Sequence, residues 1–137
     1  MIIDATDLIV GRLGTAVAKK ALLGEEIIIV NSEKAIITGK KERVFADYKQ
    51  RLDRGTFKGP FLPRRSDYLL KRSIRGMLPY KKPRGAEAFK RIRCFVGVPT
   101  QYKAQDKESI KDAHISKMQN LDYVTIKEIV THLGGKA

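Results

Sequence analysis

Fourteen lysine and arginine side chains fall between Arg51 and Arg93, against three carboxylates, Asp53, Asp67 and Glu87. Most of the chain's net charge of +13 therefore lies in one stretch. Like charge at this density repels itself unless a polyanion neutralises it, and nucleic acid supplies the salt-sensitive phosphate contacts that would do so. The candidate phosphate ligands are Arg54, Lys58, Arg64, Arg65, Lys71, Arg72, Arg75, Lys81, Lys82, Arg84, Lys90 and Arg91. Nine of the ten aromatic residues lie in or beside the same region. Phe57, Phe61 and Tyr80 stand among arginines in Gly/Pro-rich loops, which makes them candidates for stacking on bases or ribose. A solvated charged surface usually mixes signs, and this stretch does not.

Chemistry of other kinds finds little support. Gly11-Arg12-Leu13-Gly14 opens a helix after a strand, but lacks the Gly-x-Gly-x-x-Gly spacing and the Lys-Ser/Thr ending of nucleotide loops. Its glycines suit close helix–sheet packing or a backbone approach to phosphate. Gly134-Gly135-Lys136 reads as a helix stop and a tail. Asp4, Asp7, Glu25 and Glu26 lie at strand ends, where α/β enzymes keep catalytic carboxylates, yet caps and solvated loops explain them more simply. His114 and His132 have no nucleophile and acid at a recognisable spacing, and His132 suits the negative end of a helix dipole. With the single cysteine, Cys94, they are too few for a structural zinc site, and Cys94 beside Phe95 and Val96 reads as a core residue. No cofactor, metal or catalytic set is expected.

The elements that must carry the basic stretch follow from periodicity. Ile2-Ile3-Asp4 predicts a strand, and Val10, Leu13, Val17 and Ala21 predict a helix ending at Gly24. Ile27-Ile28-Ile29-Val30 is a β-branched run suited to a strand covered on both faces, so the first third reads as a βαβ unit with a parallel sheet. Ala35 to Thr38 is a further extended piece. The four residues Asn31 to Lys34 are too short for a parallel crossover, leaving an antiparallel neighbour or an irregular segment. Lys40 to Arg51 predicts a helix, with Val44, Phe45, Tyr48 and Leu52 at helical intervals. From Leu52 to Arg65 the glycines and prolines predict an arm.

Ser66 or Asp67 is placed to cap a helix with Leu70, Ile74, Met77 and Leu78 on its packing face, stopping before Pro79. Lys71, Arg72 and Arg75 fall together on a neighbouring face. A second proline-marked loop, Tyr80 to Pro83, leads to a short helix over Gly85 to Arg91 and a strand at Cys94-Phe95-Val96. Gln101 to Asn120 carries only scattered apolar anchors. Thr125 and Glu128 match a capping box, Val124 and Ile129 a hydrophobic staple, and Ile126, Ile129, Val130 and Leu133 a helical stripe closed by Gly134.

A chain of 137 residues fits a single domain over 1–137, with the basic region at 51–93. Absence of a long apolar run and of a basic-then-apolar N-terminus leads us to expect a cytoplasmic protein. Glycine- and proline-rich arms follow irregular grooves, which folded RNA presents more often than duplex DNA, and no helix-turn-helix or zinc finger points to DNA. An α/β enzyme that processes or modifies RNA is the alternative. Binding to a membrane surface lacks a suitable amphipathic basic helix.

Ile74-Arg75-Gly76-Met77-Leu78-Pro79, with Gly85 six residues beyond Pro79, strongly resembles the signature of large-subunit ribosomal protein thirteen, the L-thirteen family. Asp4-Ala5-Thr6 with Gly11-Arg12-Leu13, Ile29 to Lys34 with Thr38-Gly39-Lys40, and Tyr123-Val124-Thr125 match in the same order. The loops around Pro60 to Arg65 and Pro79 to Gly85, and the short C-terminus, resemble the archaeal type. The resemblance implies a three-layer α/β/α domain around a small, mainly parallel four-stranded sheet with basic Gly/Pro-rich loops. It also implies a structural constituent of the large ribosomal subunit that binds large-subunit rRNA and aids assembly. Its partners would be rRNA and neighbouring large-subunit proteins, with no small-molecule substrate and a monomeric state off the ribosome.

Overall fold

The β-branched run Ile27–Val30 forms the central strand, β2, of a three-stranded parallel sheet in the computed structural model, which describes residues 1–136. On one side of it lies β1 (Ile2–Asp4), with Ile3 opposite Ile29; on the other lies β4 (Ile92–Cys94), with Ile27 opposite Ile92. Ile3, Ile27, Ile29 and Ile92 are fully buried, as expected where a parallel sheet is covered. The crossover from β1 to β2 is α1 (Val10–Leu22), whose Val10, Leu13, Val17 and Ala21 are buried at the predicted helical spacing. The α/β class and the βαβ start therefore agree with the sequence pattern.

The expected four-stranded count is approximate. The extended piece Ala35 to Thr38 holds a strand, β3 (Ile36–Thr38), and of the two options it takes the antiparallel one, pairing with β5 (Tyr123–Thr125) in a separate two-stranded sheet. The short Ser32–Lys34 turn before it is a single 3₁₀ turn, too short to cross a sheet. One isolated parallel bridge, Ile9 with Ile36, links the pair to the end of β1's connection.

Between β3 and β4 the chain makes α2 (Lys41–Asp53), an arm over 54–65, α3 (Ser66–Arg75) and α4 (Pro83–Lys90). α3 packs against α1 and β4, and α4 packs against α1. Several boundaries differ from expectation: α4 starts at Pro83 and not Gly85, and α2 runs to Asp53 and not Arg51. α3 ends at Arg75, not Leu78, because Met77 N and Leu78 N turn back to the carbonyls of Ile74 and Arg75 at 2.9 and 3.1 Å; Leu78 is still buried. The third parallel strand is Ile92–Cys94, not Cys94–Val96, since Ile92 is the residue that enters the core while Arg93 faces out. Neither Ser66 nor Asp67 caps α3: Arg65 is the N-cap residue, and the buried Ser66 hydroxyl has no partner among the described residues.

The segment 101–120 is irregular but covers the free edge of β1. Glu108 N donates to Ile2 O at 2.9 Å, Asp4 N to Glu108 O at 3.0 Å, and Ile9 N to Ala113 O at 2.8 Å. The chain then enters β5 and α5 (Ile126–His132), which begins with the predicted capping box. Thr125 Oγ1 accepts from Glu128 N, and Glu128 Oε2 accepts from Thr125 N at 2.9 Å. Val124 and Ile129 are both fully buried, and α5 packs against α3.

Candidate nucleic-acid interface

α3 sets the surface because its two faces are chemically opposed. Leu69, Leu70 and Ile74 are buried against α1 and β4, while Lys71, Arg72 and Arg75 are half-exposed along the other side. Burying Leu70 alone is worth roughly 1.5–3 kcal/mol, so the rotation of the helix, and hence the direction of its cations, is set by packing. Each cation is then spread on a neighbour. Lys71 Nζ lies 4.7 Å from the Phe89 ring centre, Arg75 lies 5.0 Å from that of Tyr80, and Arg72 Nη1 donates to Phe61 O at 3.3 Å. Aromatic faces and carbonyls attract these groups without removing their charge. No carboxylate pairs with any of the three among the described residues.

The arm leaves α2 at Arg54 and returns at Arg65. Its tip is closed on itself: Gly59 N donates to Thr56 O at 3.1 Å and Thr56 Oγ1 donates to Gly59 O at 2.8 Å. The closed turn holds Phe57 fully in solvent and leaves Lys58 exposed. The base of the arm is anchored by Leu62, which packs against the core, and by Gly135. A Cβ on Gly135 would fall on the Arg64 carbonyl, so the stretch read as a helix stop and a tail is in close contact with the arm at Gly135. Arg65 lies over the Tyr68 ring at 4.8 Å and bonds Asp67 at 2.8 Å.

Beyond α3, Lys81, Lys82 and Arg84 are exposed on the loop and first turn of α4, and Lys90 is exposed at its end. Gly85 makes that loop possible, because a Cβ there would overlap the Pro79 carbonyl. Arg91 stands apart. Its Nη1 donates to Ala21 O at 3.2 Å, near the C-terminus of α1, and its Nη2 lies 3.9 Å from Glu87. Two cations omitted from the sequence-based set line the same clefts: Arg51, beside Arg54 and Arg72, and Arg93, beside Arg65 and Lys71. The outward position of Arg93 in Ile92-Arg93-Cys94 is an alternation signal that the shifted strand boundary concealed.

Of the three stacking candidates, Tyr80 already has Arg75 on its ring, whereas Phe57 and Phe61 are 105% and 69% exposed. Of the groups weighed for catalysis, Asp7, Glu25 and Glu26 are exposed, and the others have partners in the fold. Burial works against ionisation of Asp4, but hydrogen bonds from Thr6 Oγ1, Asn31 Nδ2 and Thr6 N outweigh it and hold its carboxyl below the ordinary value. Burial pushes the Cys94 thiol up to about 12, so it stays protonated at neutral pH. His132 stacks on Phe45 at 4.3 Å, and His114 Nδ1 accepts from Ser116 N. Gly14 serves close packing, but of α1 on the turn after α3 and not on the sheet as expected: a Cβ there would meet Met77 Sδ at 2.7 Å.

Comparison with known proteins gives the chain a family. The family model described as Ribosomal protein L13 matches residues 1–101. The Large ribosomal subunit protein uL13 of Archaeoglobus fulgidus is 47% identical over 135 residues, spanning 97% of this chain and 86% of its own. Those of Methanococcoides burtonii and Haloarcula marismortui are 44% and 42% identical, each spanning 98% of this chain and 98% and 90% of their own.

Proposed function

The chain belongs to the ribosomal protein L13 family, and from that premise we propose that it is a structural constituent of the large ribosomal subunit that binds large-subunit rRNA. The relatives bear the name of a large-subunit protein. The observation that carries the reading is the unpaired cationic row Lys71, Arg72 and Arg75, fixed in direction by the buried side of α3 and flanked by two exposed basic loops. Arg54, Lys58, Arg64 and Arg65 approach phosphates from the arm, and Lys81, Lys82, Arg84 and Lys90 from α4 and its loop. Arg51 and Arg93 join them, and Arg91 serves the fold.

The protein acts as one domain over 1–137, monomeric before assembly, in the cytoplasm. It performs no catalysis, and its partners are rRNA and adjacent large-subunit proteins. Orientation comes from the phosphates, and selection from the shape of the folded RNA. Sedimentation of cell extract tests this: the protein should travel with large subunits and be released by RNase. Migration as a free protein, or RNA turnover by the purified chain, would refute it.

A further inference from the structure

We propose that the groove between the arm and the exposed side of α3 holds one unstacked nucleotide of the bound RNA, its base on the Phe61 ring and its phosphate on Arg72 and Arg75. This deepens the rRNA reading and rests on it. The groove has a volume of about 430 Å³ and is walled by Phe61, Tyr68 and Phe89 together with Lys71, Arg72 and Arg75. That is within the range of pockets that hold small ligands, and it combines a ring surface with three positive groups, the two needs of a nucleotide.

Phe61 is the ring left open. Lys71 lies over Phe89 and Arg65 over Tyr68, whereas no cation lies over Phe61 among the described residues. Behind Phe61 the backbone of Gly59 approaches so closely that a Cβ would stand 3.3 Å from Cε2, and Gly59 has a φ of +85°, where side chains are strained. The ring is thus backed by main chain on one edge and is 69% exposed otherwise. Arg72 Nη1 donates to the carbonyl of Phe61 itself, so a cation is tied to the residue that offers the stacking surface. Phe57 at the arm's tip has no second wall and forms no comparable site. In an A-form duplex the base faces are covered by their neighbours, so only an unpaired nucleotide can use this ring.

The chain has no tryptophan, so Phe61→Trp gives a single fluorescent reporter in the groove. The full chain is titrated at low salt with a short unstructured pyrimidine RNA and with a blunt-ended RNA duplex of equal phosphate number. The single strand should quench the tryptophan strongly and the duplex little, although both bind. Phe61→Ala should reduce single-strand affinity about tenfold, the usual scale for one lost base stack, and leave duplex affinity unchanged; Phe61→Leu should behave like Phe61→Ala. Equal quenching by both RNAs, equal losses on both, or full binding by Phe61→Leu would overturn the nucleotide groove while leaving the phosphate interface in place. Failure of the unsubstituted chain to bind either RNA would overturn the rRNA reading as well.

Discussion

Arg72 and Arg91 are both arginines of the basic stretch, yet their surroundings give them different work. Arg91 completes a hydrogen bond to a carbonyl near the end of α1, so Arg91→Ala should lower stability by about 1–2 kcal/mol, as for a part-buried charge-assisted bond. Urea unfolding would show this, with RNA affinity little altered. Glycines divide in the same way. Gly85→Ala sets a Cβ against the Pro79 main chain, which cannot yield cheaply, so a loss of at least ~1–3 kcal/mol is expected in the same assay. Gly14→Ala crowds the end of the Met77 side chain and touches Ile74 Cγ1 at an ordinary 3.7 Å; the pliant thioether and the better helix propensity of alanine should leave stability within about 1 kcal/mol. The residue types of both glycines were visible in the sequence, but their neighbours were not: Pro79 and Met77 reach them only through the folded turn after α3. The role of Arg91 was hidden for the same reason, since its partner lies seventy residues earlier.

The elements whose signals are local were legible, and those set by distant partners were not. The α5 capping box needs only Thr125 and Glu128, and it forms as read. The register of β4 depends on β2, more than sixty residues away, which is why the apolar run Cys94-Phe95-Val96 misplaced it by two residues. The antiparallel pairing of β3 had no visible partner until β5 was placed. The cap at Glu128 also carries a pH dependence. Main-chain hydrogen bonding from Thr125, resisted by partial burial and aided by Lys41, holds the Glu128 carboxyl below its ordinary value of 4.5. A carboxyl depressed on folding contributes stability that is full above the unfolded value and is lost as pH falls through the folded one. Thermal unfolding between pH 6 and 3 should therefore show a decline below about 4.5 that is smaller in Glu128→Gln. Thr125→Ala should cost about 1 kcal/mol at neutral pH; no change would mean that α5 is held by Ile126, Ile129 and Val130 alone.

The molecule divides its labour between an apolar α/β body and a cationic side assembled from the arm, α3 and the α4 loop. The body was apparent from the β-branched strands and helical stripes. The proposed interface was apparent in composition, and the geometry of its cations arose only when α3 brought Arg72 beside the arm and β4 turned Arg93 outward. An interface of this kind, engaging about 6–10 phosphates, should lose roughly 10³–10⁵ in affinity for rRNA between 50 and 200 mM salt. Binding of the purified chain to large-subunit rRNA, followed as log affinity against log salt for the parent and for Arg72→Ala/Arg75→Ala, isolates the contribution of α3. The double variant should bind more weakly, with a salt slope shallower by about two and a melting temperature close to the parent's. An unchanged slope and affinity would place the RNA on another face of the protein.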